Sequence, residues 1–251
     1  VMLIGLLSHI QANQPELQAV RDELARRGVD RVINGGDILS GPLWPRETAD
    51  LLMALDWPTI AGNHERQLLA CARRPGGASD RFAFEQTTAA QRDWLAALPA
   101  ALHPWPGVYV CHGVPGDDLN YLLETVTPAG SRPATAAEVL QRLDGTPGAD
   151  ASLLLCGHSH LPRLLQAGPT LCVNPGSVGL PSYDDDHIAF HVHQSGSPHA
   201  RYALCERIDT GEGAGLTVAH IAVAYDWQAA AGRALHNGAR DWSRWLTSGL
   251  A

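Results

Sequence analysis

Short apolar segments that end in polar loops recur along this chain of 251 residues, and each of those loops carries histidine, aspartate or asparagine. The first segment, Met2–Leu7, is apolar throughout, which is typical of a strand buried on both faces of a sheet. The same pattern returns at Arg31–Asn34, 59–61, Val108–Cys111 and 152–156. Because stretches with helical periodicity lie between the early segments, the order of elements predicts an α/β fold with polar side chains at the ends of its strands.

Helices are predicted between the early strands, whereas strands dominate the last part of the chain. Asn13 can cap a first helix and Glu16 can complete a capping box. Residues 45–55 and 78–98 also favour helices. Further strands are predicted at 170–173, 201–206 and 216–224, and a short helix at 227–235. No linker or repeat separates the two parts, so residues 1–251 are expected to form a single domain with two packed sheets.

The charge balance limits the partners and reactions that fit this chain. It has 18 basic and 26 acidic residues, a formal net charge of −8, and every basic residue is arginine. The acidic balance disfavours a stable nucleic-acid partner, since such binding depends on basic side chains. Without lysine the chain lacks the phosphate-binding residue of a P-loop and the amine of a Schiff-base enzyme. The apolar runs fall short of the roughly 18 residues of a membrane span, so no membrane contact is expected.

Five scattered cysteines without a Cys-x-x-Cys pair argue against a disulfide framework or a structural zinc site. We therefore expect a reducing, cytoplasmic setting. The N-terminal apolar stretch is also too short, and lacks the basic flank, for a signal peptide. Cys156 and Ser177 lack the neighbouring arginine and glycine that a thiolate phosphatase loop and a nucleophile elbow require. Neither is a candidate nucleophile, and the oligomeric state is not encoded in these patterns.

Six metal-capable side chains follow the predicted strands directly: His9, Asp37, Asn63, His112, His158 and His160. A single histidine or aspartate after a strand is more often an ordinary turn residue. Five strands that each deliver such a residue to the edge where ligands bind indicate a shared site instead. Asp37 can bridge two cations, Asn63 offers an amide oxygen, and imidazoles suit Mn, Fe, Zn or Co. The pattern predicts a hydrolytic centre for up to two divalent metal ions.

Four motifs of this chain resemble, in order and spacing, those of calcineurin-like metallophosphoesterases, in particular the small bacterial phosphoesterases. They are Gly36-Asp37, Gly62-Asn63-His64-Glu65, His112-Gly113 and Gly157-His158-Ser159-His160, followed by Asn174-Pro-Gly-Ser-Val-Gly179. The resemblance covers most of the chain and implies an αββα four-layer sandwich with a two-metal site between the sheet edges. It also implies hydrolysis of a small phosphomonoester or phosphodiester, through in-line attack by a water molecule that divalent cations activate.

The first motif departs from the family pattern, which is Asp-x-His followed by Gly-Asn. Here the segment reads Ser8-His9-Ile10-Gln11-Ala12-Asn13, so both ligands of that motif are replaced. The resemblance implies an intact second metal set, made of Asp37, Asn63, His112 and His158. The first set has to be built from His9, Gln11, Asp37 and His160. Because an amide oxygen is a weak ligand for borderline metals, we expect the first set to hold its metal more weakly.

Catalytic and substrate-binding roles follow from the same resemblance. His64 matches the position that assists the leaving group, Asp37 is the shared carboxylate, and Glu65 stands where an acidic residue would orient the histidine. Asn63 and Arg66 are expected to contact the phosphate group of the substrate. For Arg66, a solvated ion pair on the helix is the alternative.

Residues 183–187, Tyr-Asp-Asp-Asp-His, form a second polar cluster together with His191 and His193. One hypothesis is a solvated acidic loop before an edge strand, since runs of charge usually face water. The other is a flap over the active site. His191 and His193 share one face of the predicted strand, where they could touch substrate or a metal.

A metal-dependent phosphoesterase is the function that these residues favour. The alternative is a catalytically silent protein that keeps the fold as a binding module or scaffold, which the replacements His9 and Gln11 would allow. A different metal-dependent hydrolase on the same fold is a third hypothesis. We favour the phosphoesterase because His64 and a complete second metal set are not needed for folding alone.

Overall fold

Two β-sheets pack face to face, and helices cover their outer faces, in the computed structural model of this chain. The structure describes residues 2–210 and 213–251. The helices are α1 (Gln14–Arg26), α2 (Pro45–Leu55), α3 (Asn63–Ala70), α4 (Ala78–Gln86), α5 (Ala89–Ala96), α6 (Ala136–Leu143), α7 (Trp227–His236) and α8 (Arg240–Ser248). The strands are β1 (Met2–Leu7), β2 (Arg31–Asn34), β3 (Ala101–Leu102), β4 (Val108–Cys111), β5 (Glu124–Thr127), β6 (Gly130–Pro133), β7 (Leu153–Leu155), β8 (Pro162–Ala167), β9 (Thr170–Pro175), β10 (Ser182–Asp185), β11 (His191–Gln194), β12 (Ala200–Thr210) and β13 (Gly213–Val223).

Both sheets are mixed. The first has the strand order β13-β12-β1-β2, in which β1 runs parallel to β2 and antiparallel to β12. The second has the order β3-β4-β7-β9-β8, with β4, β7 and β9 parallel at its centre. Two antiparallel hairpins, β5–β6 and β10–β11, form separate two-stranded sheets. Because β1, β2, β4 and β7 are followed by loops at the same edge, their polar residues can meet there.

Alternation along the strands divides the apolar side chains between the layers. On β4, Val108 and Val110 belong to the core between the sheets, while Tyr109 and Cys111 pack on the outer side. The outer side of the second sheet is covered by α6, and that of the first sheet by α1 to α5. This period-two alternation is what two buried faces require. The predicted four-layer αββα sandwich is confirmed.

One local prediction about the strands is wrong, and one predicted helical stretch is divided in two. Residues 59–61 form no strand, and Thr59 makes only an isolated bridge to Asn34. Residues 78–98 are largely helical, as predicted, and form two helices because Thr88 caps α5 and its Oγ1 accepts a hydrogen bond from the N–H of Gln91 at 3.2 Å.

The capping box predicted at Asn13 and Glu16 does not form. Asn13 holds the N-cap position of α1, but its Nδ2 donates to Glu16 Oε2 at 2.7 Å and to the carbonyl oxygen of Gly179 at 3.1 Å. The amide therefore ties the start of the helix to a distant loop instead of satisfying the helix backbone. In the part of the chain that the structure describes, no helix has the length and apolar character needed to cross a membrane.

Candidate metal centre

The predicted metal ligands come together where the strands of the two sheets end. His9 follows β1, Asp37 follows β2, His112 follows β4 and His158 follows β7, while Asn63 is the first residue of α3. All of these side chains are buried. Burial of so many polar groups at one place is costly unless each has a partner, so the cluster requires a physical explanation.

Asp37 is shared by two groups of side chains that could hold a metal ion. The ligand atoms of His9, Asp37 and His160 all lie within 4.8 Å of one another, and so do those of Asp37, His112 and His158. Asp37 Oδ2 lies 3.5 Å from His9 Nε2 and 3.1 Å from His112 Nε2. One carboxylate therefore stands between two pairs of histidines, which is the arrangement needed to bridge two cations.

Three of these histidines have one ring nitrogen held by a backbone carbonyl group. The pairs are His112 Nδ1 with Gly35 O at 2.8 Å, His160 Nδ1 with Leu180 O at 2.8 Å, and His158 Nε2 with Leu119 O at 3.0 Å. A carbonyl oxygen can only accept, so these ring nitrogens carry the protons and donate. When the ring is neutral, the other nitrogen is left with a free lone pair, as a metal-binding imidazole requires.

His9 is held by a side chain instead. Its Nδ1 lies 2.8 Å from Ser8 Oγ, and that hydroxyl donates to the carbonyl oxygen of Gly176 at 2.9 Å, so Nδ1 donates to the hydroxyl. The lone pair then belongs to His9 Nε2, which accepts a hydrogen bond from the backbone N–H of His158 at 3.0 Å. A cation beside Asp37 would have to compete with that N–H for the lone pair.

The donor set fits a transition-metal ion. Asn63 Oδ1 is buried and has no hydrogen-bond partner among the residues that the structure describes, and His112 Nε2, also buried, faces only the Asp37 carboxylate, 3.1 Å away. An orphaned buried atom is costly, and a divalent cation bound to both atoms would satisfy them. Imidazole nitrogens with one carboxylate and an amide oxygen suit Mn, Fe, Zn or Co better than the oxygen-seeking Mg and Ca.

Burial and mutual repulsion keep most of the imidazoles neutral. Burial lowers the pKa of His9 and of His158 well below the usual value, and it lowers the pKa of His160 to about 4. For Asp37, burial by itself would raise the pKa of the carboxyl, but the nearby His112 outweighs this and the pKa lies well below its usual range. Asp37 is therefore ionised at neutral pH. Burial by itself would lower the pKa of His112, but the Asp37 charge outweighs it and raises that pKa, so a cation would displace the proton of His112 that faces Asp37. The lone pairs of His9, His158 and His160 remain available to a cation.

Five residues of the centre have left-handed backbone angles, which residues other than glycine seldom adopt. The φ angle is 55° at His9, 53° at Gln11, 59° at Asp37, 65° at His158 and 60° at His160. Each such residue costs on the order of 1–3 kcal/mol and persists only where surrounding contacts hold it. Strain of this kind concentrates at functional sites, and here it turns the side chains toward a common point.

The segment 174–179, noted in the sequence as Asn-Pro-Gly-Ser-Val-Gly, holds the loop of His9 in place. The backbone N–H groups of Val178 and Gly179 donate to Ser8 O at 3.0 Å and His9 O at 2.7 Å. Ser177 Oγ donates to the same oxygen of His9 at 3.1 Å. The segment therefore supports the strained loop through two backbone N–H groups and one hydroxyl group.

His64 lies at the start of α3 beside the centre, with its side chain 30% exposed. Its Nδ1 lies 2.8 Å from Asp80 Oδ1. Burial by itself would lower the pKa of His64, but the negative charges of Asp37 and Asp80 outweigh it and raise the pKa to about 9. The imidazole is therefore protonated at neutral pH and donates from Nδ1 to Asp80.

The prediction that Glu65 orients His64 is wrong. The Glu65 carboxylate accepts hydrogen bonds of 2.8 Å from three backbone N–H groups, those of Asp37, Ile38 and Gly62. Glu65 thus ties the loop of Asp37 to the start of α3. Asp80, on α4, takes the orienting position, and no motif in the sequence marks it.

A cavity of about 460 Å³ opens over the centre, and Gln11, Asn63 and His64 line it. Arg66 lines an adjoining cavity instead. Its Nε and Nη2 donate to the carboxylate of Asp118 at 2.9 Å and 2.6 Å. Arg66 thus forms the ion pair that was its alternative, and its charge is already balanced.

Residues 183–187 form part of the wall of the cavity over the centre, through Tyr183, Asp184, Asp185 and His187. Tyr183 Oη donates to the carbonyl oxygen of His158 at 3.1 Å and lies 2.8 Å from His193 Nδ1. His191 and His193 are buried on β11. The position of this hairpin agrees with the hypothesis of a segment over the site.

Comparison with known proteins shows which family and which solved structures this chain resembles. Residues 2–196 match the family described as the calcineurin-like phosphoesterase superfamily domain. A metallophosphoesterase from Sphaerobacter thermophilus has a similar structure, with a TM-score of 0.73, 21% identity, and coverage of 99% of this chain and 100% of that one. A hypothetical protein from Pyrococcus horikoshii OT3 aligns with a TM-score of 0.75, 19% identity and coverage of 99% of both chains. No curated protein matches the sequence.

Proposed function

The chain belongs to the calcineurin-like phosphoesterase superfamily, and from that membership we propose that it is a metal-dependent phosphoesterase acting on a phosphomonoester or a phosphodiester. One observation carries the proposal: two pairs of histidines share the single carboxylate of Asp37, beside a cavity that His64 lines. A purely structural cluster would not need lone pairs directed at one carboxylate, nor buried polar atoms without partners.

Two sets of residues would hold the metal ions. The first set is His9, Gln11, Asp37 and His160, and the second is Asp37, Asn63, His112 and His158. Divalent cations bound there, such as Mn, Fe, Zn or Co, would lower the pKa of a water molecule and offset the charge on the phosphoryl oxygens. Asp37 supplies the negative charge common to both positions.

The remaining residues act on the substrate itself. His64 donates a proton to the oxygen of the leaving group, and Asp80 holds the ring so that Nε2 faces that oxygen. Asn63 offers its amide N–H₂ group to a phosphoryl oxygen while Oδ1 serves as a ligand. Glu65 keeps the loop of Asp37 and the start of α3 at a fixed separation, so the acid and the metal ligands hold their relative positions.

A second candidate function is binding without catalysis. The hydrogen bond from the N–H of His158 to His9 Nε2 favours it, because that bond occupies the lone pair which the first metal position needs. A protein that binds a single cation would keep the fold and recognise a phosphate group without hydrolysing it. The two functions differ in the number of cations held and in turnover.

The test is metal analysis of the purified chain together with hydrolysis of p-nitrophenyl phosphate and bis(p-nitrophenyl) phosphate in added Mn²⁺. We expect bound metal and hydrolysis of at least one ester. His64→Gln should reduce turnover by about 10²-fold or more with metal content unchanged. As the matched control, Asp118→Asn, in the ion pair outside the cavity, should change neither. Metal without hydrolysis would favour the binding protein, and a chain that takes up no metal would contradict both.

A further inference from the structure

We propose that the cavity over the metal centre takes an ester with a single phosphate group joined to a flat aromatic group, a nucleobase or an aryl ring, and that Trp242 and Trp245 form the wall against which this aromatic group lies. The inference rests on the proposed function, since it assigns the rest of the substrate for the same site.

The aromatic wall comes from α8. Trp242 and Trp245 line the same cavity as Asp37, His158 and His160, with 6.5 Å between the centroids of the two indole rings. Trp245 is buried in an apolar cluster, whereas Trp242 is only half-buried. A half-buried indole at the edge of a polar cavity exposes an apolar surface that an aromatic ring can cover.

The position of Trp242 is fixed close to the first motif. A Cβ atom added to Gly41 would lie 3.0 Å from Cη2 of Trp242, and it would collide with the carbonyl oxygen of Gln11. The indole therefore packs over Gly41, next to the loop that carries Gln11. A substrate whose phosphate sits at the centre would have its organic part within reach of this ring.

The residues of this wall lie in the C-terminal part of the chain, outside the segment that matches the family. The residues that match the family end at 196, whereas α8 spans Arg240–Ser248. The phosphate chemistry and the aromatic wall thus come from different parts of the sequence. Trp245 and Leu246 pack with Ala230 and Ala231 of α7, which anchors the wall to the body of the protein.

The charges around the cavity limit the substrate to one phosphate. Its charged lining includes Asp37, Asp184 and Asp185, no arginine is among the described residues that line it, and the chain contains no lysine. Cations at the centre and His64 would offset the scissile phosphate. A second phosphate group would face Asp184 and Asp185 without an arginine or a lysine to balance it. Those carboxylates can instead accept hydrogen bonds from hydroxyl groups of the organic part.

Matched pairs of substrates test both halves of the proposal on the Mn²⁺-loaded full chain. Adenosine 5′-monophosphate is compared with ribose 5-phosphate, phenyl phosphate with cyclohexyl phosphate, and adenosine 5′-monophosphate with the 5′-diphosphate. We expect kcat/KM to be about 10-fold higher for the aromatic member of each of the first two pairs. We expect it to be about 10-fold lower for the diphosphate. A preference confined to the adenosine pair identifies a nucleobase, and one confined to the phenyl pair identifies an aryl ring.

Variants of Trp242 show whether the indole is responsible. Trp242→Leu should remove most of the aromatic preference, because KM should rise more for adenosine 5′-monophosphate than for ribose 5-phosphate. Trp242→Phe, which keeps a flat ring, should retain the preference. Trp57→Leu replaces another partly buried tryptophan, packed on the outer core of the first sheet, and should have no effect.

Calorimetric titration with adenosine 5′-monophosphate and ribose 5-phosphate separates this inference from the proposed function. If no ester is hydrolysed but the nucleotide binds about 10-fold more tightly in a Trp242-dependent manner, hydrolysis is wrong and the aromatic wall stands. Equal binding and equal kcat/KM within the pairs would overturn the wall, even with an active enzyme. Equal use of the mono- and diphosphate would overturn the limit to one phosphate.

Discussion

Oδ1 of Asp80, on α4, lies 2.8 Å from Nδ1 of His64, on α3. Ser40 Oγ donates to the same carboxylate oxygen at 2.7 Å, and Asp80 is buried. A fixed acceptor on Nδ1 sets the orientation of the ring and leaves Nε2 for another partner. The relationship makes Asp80 a positioning residue in the proposed mechanism.

Asp80→Asn should lower kcat for an aryl phosphate by about 10- to 100-fold while the metal content stays the same. The amide keeps the size of the carboxylate but loses the charge that holds the imidazolium ring. Steady-state kinetics and metal analysis on the same preparation measure the two effects. Unchanged kcat, or loss of metal in parallel with kcat, would show that Asp80 does not act through His64.

Asp37→Asn should abolish both metal binding and turnover. The substitution preserves the size of the side chain but removes the one negative charge that offsets both cations. Elemental analysis should find less than about a tenth of the wild-type metal under the same loading conditions. Circular dichroism checks that the chain is folded. Full metal content and full activity in the variant would show that Asp37 does not bridge.

Titration of metal into stripped protein should give two unequal steps or a single equivalent, with activity that rises only in excess metal. Gln11 is a poor donor for borderline metals, and ordering its long side chain costs up to about 2 kcal/mol of entropy. The competition of the His158 N–H for His9 Nε2 weakens the same set further. Calorimetry resolves the steps, and two equal, tight equivalents would contradict this account.

Replacing the first motif with the pattern that the resemblance implies, by His9→Asp and Gln11→His, should tighten the weak step and raise turnover. The carboxylate adds a negative charge beside the cation, and the imidazole replaces an amide oxygen. The same titration and kinetic assays are repeated on the double variant. If neither affinity nor turnover improves, His9 would be a ligand suited to a different metal.

Glu16→Gln should stabilise the protein at neutral pH and have little effect near pH 4. Burial raises the pKa of the Glu16 carboxyl well above its usual value, although Tyr225 and Arg201 oppose the shift. The folded state therefore holds the proton more tightly, and stability falls as the pH rises above the unfolded value of about 4.3, by about 1.4 kcal/mol for each unit of pKa shift. Glutamine keeps a carbonyl oxygen for the Asn13 donor and removes the buried charge.

Thermal unfolding of the wild type and Glu16→Gln between pH 4 and 8 measures this difference. Glu138→Gln is the control of opposite sign, because Arg132 holds the pKa of that exposed carboxyl below its usual value. That variant should lose stability at neutral pH and match the wild type in acid. A difference in unfolding temperature between Glu16→Gln and the wild type that does not change with pH would contradict the prediction.

Gly62→Ala should destabilise the fold by about 1–3 kcal/mol and reduce metal content. A Cβ at this position would collide with Asp37 Oδ1 and lie 2.7 Å from Nδ1 of His112. Gly232→Ala is the matched control, since nothing lies within 4 Å of its added Cβ in α7 and alanine favours a helix by about 1 kcal/mol. Opposite shifts of Tm in the two variants are expected, and equal shifts would contradict the steric argument.

The sequence alone was sufficient to predict the layered architecture and the set of residues at its edge. Apolar segments such as Met2–Leu7 are typical of buried strands, and parallel strands joined by helices have their carboxyl ends on the same side of a sheet. Polar residues that follow those ends are therefore neighbours, whatever the details of packing. This is why the sequence pattern by itself groups His9, Asp37, His112 and His158.

The sequence does not predict contacts between residues that belong to no recognised motif. Glu65 follows His64 directly, yet the partner of His64 is Asp80, because the direction of a side chain depends on how two helices pack. Arg66 is likewise paired with Asp118 through the fold of a distant loop. Local spacing does not encode these choices, since each depends on which of several acidic groups the tertiary structure brings within 3 Å.

The sequence by itself determined which chemical groups meet at the strand ends, because chain direction and burial of apolar strands leave no other edge for them. Only the tertiary structure decided how those groups are oriented. Left-handed backbone angles at His9 and Asp37, the tautomer set by each carbonyl, and the indoles of α8 over the cavity all depend on long-range contacts. Alternative sets of such contacts differ by a few kcal/mol. Local conformational preferences are smaller than this, so they do not decide which set forms.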